Sequence, residues 1–219
     1  MTVFLCTAVA CMFLALTVSS HNSSHWLLAH FSLVAARVEF AIGNPIGWET
    51  LWTAGTFATH AFVHLDFFHF AMNAGLLLAF GSLCERRLGA MGFALFFFAC
   101  VIAGGITQLS TDWDRATIMF GASGGVSGCI GGVVRIMMSD RFSPQRRQFA
   151  RNMALVLVLL NIGIGVVGPQ LMGAQDVSIA WQAHLGGFVL GYLLMMAAGT
   201  PAPRPPTGSD EPDRMSSSP

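Results

Sequence analysis

Four polar side chains, His69, Asn73, Ser123 and His184, lie inside three separate apolar stretches of a 219-residue chain. A polar group that enters hydrocarbon alone loses water and gains nothing back, so such residues are tolerated where they face one another. A serine hydroxyl beside an imidazole is a nucleophile beside a base, and further hydrogen-bond donors close by are what a developing oxyanion needs. The residue types therefore point to hydrolytic chemistry carried out within a membrane.

Spacing indicates which of these groups can meet. His60, His64, His69 and Asn73 follow one another along one apolar stretch, and the steps of four from 60 to 64 and from 69 to 73 each keep a pair on one helical face. Ser123 stands in Phe120-Gly121-Ala122-Ser123-Gly124-Gly125-Val126-Ser127-Gly128, and Gly124, Gly128 and Gly132 recur every four residues. Glycine is costly inside a helix, but a strip of it lets a second helix come close. His184, Gly187 and Gly191 fall on one complementary stripe of a later stretch, so close packing of the two predicts a hydroxyl within reach of an imidazole. Ser127 sits in a second Gly-x-Ser-Gly, but Ser123 is favoured because it starts its helix, where backbone N–H groups lack intrahelical partners.

These stretches must be held by membrane-spanning elements. Hydrophobic residues make up 54% of the chain and charged residues 10%, and the mean hydropathy is +0.63, far from the pattern of a water-soluble domain. Apolar runs at 2–19, 57–81, 90–110, 118–138, 152–171 and 178–198 each approach the ~20 residues a helix needs to cross a bilayer. The predicted fold is all-α, a polytopic bundle of six transmembrane helices over residues 1–198, with a long, partly interfacial outer loop at 20–56 and a disordered cytoplasmic tail at 199–219. The first run lacks a positively charged leader and a clear small-residue cleavage site, and is expected to be retained as a helix.

The chain has no Lys and 11 Arg balanced by 11 acidic residues, which leaves no basic surface for nucleic acid. Arg86, Arg87, Arg135, Arg141, Arg146, Arg147, Arg151, Arg204 and Arg214 fall on one side of the predicted topology, leaving Arg37 and Arg115 opposite. The rule that arginines stay cytoplasmic then places both termini in the cytoplasm. The cysteines Cys6, Cys11, Cys84, Cys100 and Cys129 show no metal or disulfide spacing and read as small core residues.

Taken together, Gly121-Ala122-Ser123-Gly124, His64 with His69 and Asn73, Glu85-Arg86-Arg87-Leu88-Gly89, and Ala183-His184-Leu185-Gly186-Gly187 with Gly191 resemble the rhomboid family of intramembrane serine proteases over roughly 57–198. The resemblance implies a Ser–His dyad without an acidic third member and without a cofactor or metal, with Ser123 as nucleophile and His184 as general base and acid. His69, Asn73 and backbone N–H groups at the start of the fourth span, Ala122 among them, would bind the oxyanion. It implies as partners transmembrane protein substrates in a lipid bilayer, cut near the outer face at small residues in easily unwound segments, and a setting like the bacterial inner membrane. Two features depart from the family pattern. Ser127 stands where an aromatic residue usually braces the imidazole, and Trp52 in the long loop is followed by Thr53 instead of an arginine.

Two other classes of function compete. His60 and His64 at i, i+4, with His69 and His184, offer nitrogen ligands to a transition metal, although the chain has no HExxH and His69 is turned off the face of the first pair. A rhomboid-like scaffold that binds transmembrane helices without cutting them is the other; retention of both dyad residues argues against it. Asp66 reads as a boundary residue rather than a catalytic acid.

Overall fold

The computed structural model describes residues 1–111, 117–139, 143–172 and 180–199. It is mostly helical: α1 (Thr2–Val18), α2 (His21–Phe31), α3 (Ala35–Gly43), α4 (Trp48–Thr59), α5 (Phe67–Leu76), α6 (Ser82–Thr111), α7 (Ser123–Met138), α8 (Pro144–Met172) and α9 (Trp181–Ala197). Two-residue strands, β1 (Leu33–Val34) and β2 (Ile118–Met119), pair antiparallel with Leu33 opposite Met119. The predicted tail from residue 200 on, Asp112, Asp114, Arg115, Arg141 and Asp176 all lie outside the described residues.

α7 is the central rod, packed most extensively against α9, then α6 and α8. Its glycines set the distance. A Cβ at Gly187 would run into the Gly124 carbonyl, one at Gly191 into the Gly128 carbonyl, and one at Gly131 into the Phe188 carbonyl, so α7 and α9 touch backbone to backbone. Phe93, Phe97, Cys100 and Val101 of α6 close another side of α7, with Cys84 and Cys129 buried beside them. All five cysteines are free thiols. Many large apolar side chains face outward instead, among them Phe4, Phe68, Leu95, Leu155 and Leu159; in water such an exterior would be costly, whereas lipid solvates it.

The apolar run 57–81, expected to form one helix, is broken. α4 ends at Thr59, a 3-10 turn covers His60–Phe62, and Val63 turns extended with ψ 127°. The helix restarts at Phe67 because Asp66 caps it, its Oδ1 accepting the His69 N–H at 2.8 Å. Asp and its neighbours compete with helical hydrogen bonding and favour such starts. His60 and His64 are therefore not a pair on one helical face, while His69 and Asn73 do share α5. From α5 the chain passes through a π-helical turn, Leu77–Gly81, into α6, which begins eight residues before the predicted 90 and bends at Gly89 with φ +73°. The segment 118–138 likewise becomes helical only at Ser123.

Phe67–Thr111 is the one helical run among the described residues long and apolar enough to cross a membrane by itself, and Thr2–Val18 and Ser123–Met138 are apolar but shorter. The sixteen residues of α7 span about 24 Å, less than the ~30 Å hydrocarbon core. The ends of α1 and α9 meet at the Arg86–Arg87 end of the bundle. Glu85 accepts from Thr2 N at 2.8 Å and Thr2 Oγ1 at 2.6 Å, and the Arg87 guanidinium donates to the Gly199 carbonyl.

The segment 20–56, expected to be a loop, is folded into α2, β1, α3 and most of α4. No arginine adjoins Trp52 in sequence, yet Arg37 of α3 brings its guanidinium 5.2 Å from the Trp52 ring centroid, and Trp52 Nε1 donates to the His30 carbonyl at 3.0 Å. A cation over an indole face and a hydrogen bond at its edge anchor the loop from a residue distant in sequence.

Two glycine substitutions test this packing as a matched pair. Gly191→Ala meets the Gly128 carbonyl and is expected to lower the unfolding midpoint in detergent, with a cost on the order of 1–3 kcal/mol. Gly75→Ala has no atom within 4 Å of the new methyl and is expected to leave the midpoint unchanged or raise it. Asp66→Ala removes the α5 cap and is expected to cost about 1 kcal/mol by the same measurement.

Candidate active site

The approach to α7 is extended backbone inside the bundle, where each N–H needs a partner. Ala35 N donates to the Thr117 carbonyl at 3.0 Å and Gly121 N to the His60 carbonyl at 2.9 Å. Ala122 N donates to His64 Nε2 at 3.4 Å. His64 is wholly buried, and its Nδ1 donates to the Phe62 carbonyl at 3.3 Å, leaving Nε2 as the acceptor. His60 Nδ1 donates to the Thr56 carbonyl at 2.9 Å. Of the four histidines weighed as metal ligands, His60 and His64 thus support backbone, and among the described residues no three His, Cys, Asp or Glu side chains are arranged to hold a metal ion.

Gly121 carries φ +109°, a conformation that side chains rarely adopt, and it makes room for a ring. A Cβ there would sit 2.8 Å from His69 Cε1 and 2.9 Å from His69 Nε2. His69 therefore lies against the backbone two residues ahead of Ser123, with the His64 ring 4.8 Å away between centroids. Asn73, 5% exposed, donates Nδ2 to the His69 carbonyl at 3.0 Å. Its amide carries a second N–H.

Ser123 is the first residue of α7, preceded by Ala122 with no side-chain cap. The N–H groups of that first turn have no helical acceptors and carry the positive end of the helix dipole. His184 lies one turn into α9, and its Nε2 meets Ser123 Oγ at 2.8 Å. This pairing belongs to Ser123 and not to Ser127, one helical turn farther along α7. The other imidazole nitrogen, Nδ1, meets Asn161 Oδ1 of α8 at 2.7 Å, and Asn161 Nδ2 donates to the Trp181 carbonyl at 2.9 Å.

Of the residues selected from sequence, Ser123 and His184 are in direct contact, and His69 and Ala122 flank the turn leading into Ser123. Asn73 is held one turn from His69. Asn161 is not among the residues selected from sequence, although an amide near the middle of the apolar run 152–171 is the kind of polar group that requires a partner.

The Rhomboid domain family matches residues 49–200. The chain is 26% identical over 194 residues to "Rhomboid protease GluP" of Bacillus subtilis (strain 168), an alignment covering 87% of this chain and 33% of that protein. It is 30% identical over 132 residues to "RHOMBOID-like protein 4" of Arabidopsis thaliana, covering 60% of this chain and 31% of the other. With "Rhomboid-like protease 1" of Toxoplasma gondii it shares 29% identity over 143 residues, 62% of this chain and 44% of that one. The chain spans about a third of the length of the first two relatives. With the family match extending from α4 to the end of α9 and enclosing the contacts around Ser123, this chain belongs to the rhomboid family.

Proposed function

We propose that this chain is an intramembrane serine endopeptidase that hydrolyses peptide bonds of other membrane proteins through the dyad Ser123–His184. The observation that carries the reading is the 2.8 Å contact of Ser123 Oγ with His184 Nε2 at the bare N-terminus of α7. His184 Nε2 takes the hydroxyl proton as Oγ attacks the scissile carbonyl carbon, giving a tetrahedral intermediate whose oxygen bears the negative charge. The same imidazolium then protonates the departing amine, leaving an ester on Ser123 that water hydrolyses by the reverse proton path.

The oxyanion is stabilised by His69, by the second N–H of Asn73 and by N–H groups opening α7, with the Ala122 N–H exchanging its long contact to His64 for the substrate oxygen. The two relatives named as proteases support the reaction class. In the same proposal the chain crosses a bacterial cell membrane six times, through α1, α5, α6, α7, α8 and α9. Both termini are cytoplasmic, because Thr2 and Gly199 meet the Arg86–Arg87 end. Ser123, at the opposite end of a helix too short to span, is then sunk below the outer headgroups, and substrates are transmembrane segments that unwind there next to a small residue.

Cleavage of a reporter bearing such a segment, followed by gel shift in membranes, tests the reading. Ser123→Ala and His184→Ala are each expected to abolish product, and Ser127→Ala to retain much of it. His69→Ala and Asn73→Ala are each expected to lose about 100-fold in kcat, the usual effect of removing one oxyanion donor. Continued cleavage by the Ser123→Ala protein rejects the assignment.

A further inference from the structure

We infer that Asn161 is a positioning residue for His184, fixing both the tautomer and the angle of the imidazole; the inference rests on the Ser123–His184 reading. An imidazole on a single rod has two freedoms that matter for proton transfer, ring rotation and the choice of which nitrogen carries the hydrogen. Ser127, the residue of α7 one turn beyond Ser123, is too small to clamp the ring. No carboxylate among the described residues is hydrogen-bonded to it.

α8 provides the missing restraint. Asn161 and Gly165 lie four residues apart on one face of α8, and that face meets the first residue of α9. A Cβ at Gly165 would run into the Trp181 ring, so the absence of a side chain there lets α8 approach closely enough for Asn161 to reach both the Trp181 carbonyl and the imidazole. The carbonyl of Trp181 only accepts, so the Asn161 atom facing it is Nδ2. The amide orientation is then decided, and Oδ1 is the atom 2.7 Å from His184 Nδ1. Oδ1 also only accepts, so Nδ1 must carry the hydrogen, and Nε2 turns its lone pair to the Ser123 hydroxyl at 2.8 Å. A chain of three hydrogen bonds thus runs from the Trp181 carbonyl to the nucleophile.

Asn161 acts through His184 and does not touch the reacting atoms. Its amide oxygen achieves the orientation expected of an acidic third residue without a charge that lipid would penalise. Substitutions that remove the acceptor are therefore expected to slow proton abstraction without weakening substrate binding.

The test uses the full-length purified protein and a fluorophosphonate probe, with the maximal labelling rate separated from the probe affinity. Asn161→Leu, similar in size but without an acceptor, is expected to lower the maximal rate by about 100-fold, the scale of general-base assistance, with affinity unchanged. Asn161→Asp keeps an acceptor oxygen in place and is expected to recover most of that loss. A second measurement needs no substitution: nitrogen NMR of histidine-labelled wild-type protein is expected to show His184 protonated at Nδ1 and bare at Nε2. Wild-type labelling rates in Asn161→Leu, an Asn161→Asp protein as slow as Asn161→Leu, or the opposite tautomer would each overturn the inference. Wild-type protein that does not label at Ser123 would instead refute the dyad reading on which it rests.

Discussion

The structure depends on the backbone contact between α7 and α9. Lipid provides no hydrophobic gain for bringing two apolar rods together, so their association relies on dispersion at close range and on whatever polar contacts the approach permits. The pairs Gly124–Gly187 and Gly128–Gly191 remove the side chains that would otherwise hold the axes apart. The 2.8 Å contact between Ser123 and His184 follows from that spacing, since both residues sit at the same end of the paired glycines. An added methyl anywhere on the seam acts on the proposed chemistry through distance, even where it touches no reacting atom.

The second constraint is the cost of bare peptide groups at depth. α7 starts inside the bundle, so the residues before it must satisfy their hydrogen bonds without water. His60 and His64 do this with a backbone carbonyl and a ring nitrogen, receiving Gly121 N and Ala122 N. The same break in the helix that frees His60 and His64 for this task lets Asp66 restart α5 and aim His69 at the Gly121 backbone. Of the chain's seven histidines, His60 and His64 thus hold the turn, while His69 and His184 face the proposed reaction centre.

The contacting pair was legible in sequence because it is periodic: glycines at steps of three and four mark a seam wherever the helix continues unbroken. Departures from helical geometry were less legible. The run 57–81 is as apolar as an unbroken helix would be, and only Asp66, a common cap, marked its interruption. Extended residues ahead of Ser123 left no compositional trace, since β-bridging of Leu33 with Met119 joins segments remote in sequence. Arg37 over Trp52 was hidden for the same reason: Thr53 beside Trp52 reads only as a departure from the family's pair, and the cation comes from a residue distant in sequence. Asn161 was visible as an amide in an apolar run, but its partner could be named only once α8 and α9 were placed side by side.

The most direct measurement is covalent labelling of the full-length protein by a fluorophosphonate, with the modified residue identified by peptide mapping. Stoichiometric modification of Ser123 that disappears in the His184→Ala protein is the expected result. Modification of Ser127 instead, or modification of Ser123 that persists without the imidazole, would contradict it.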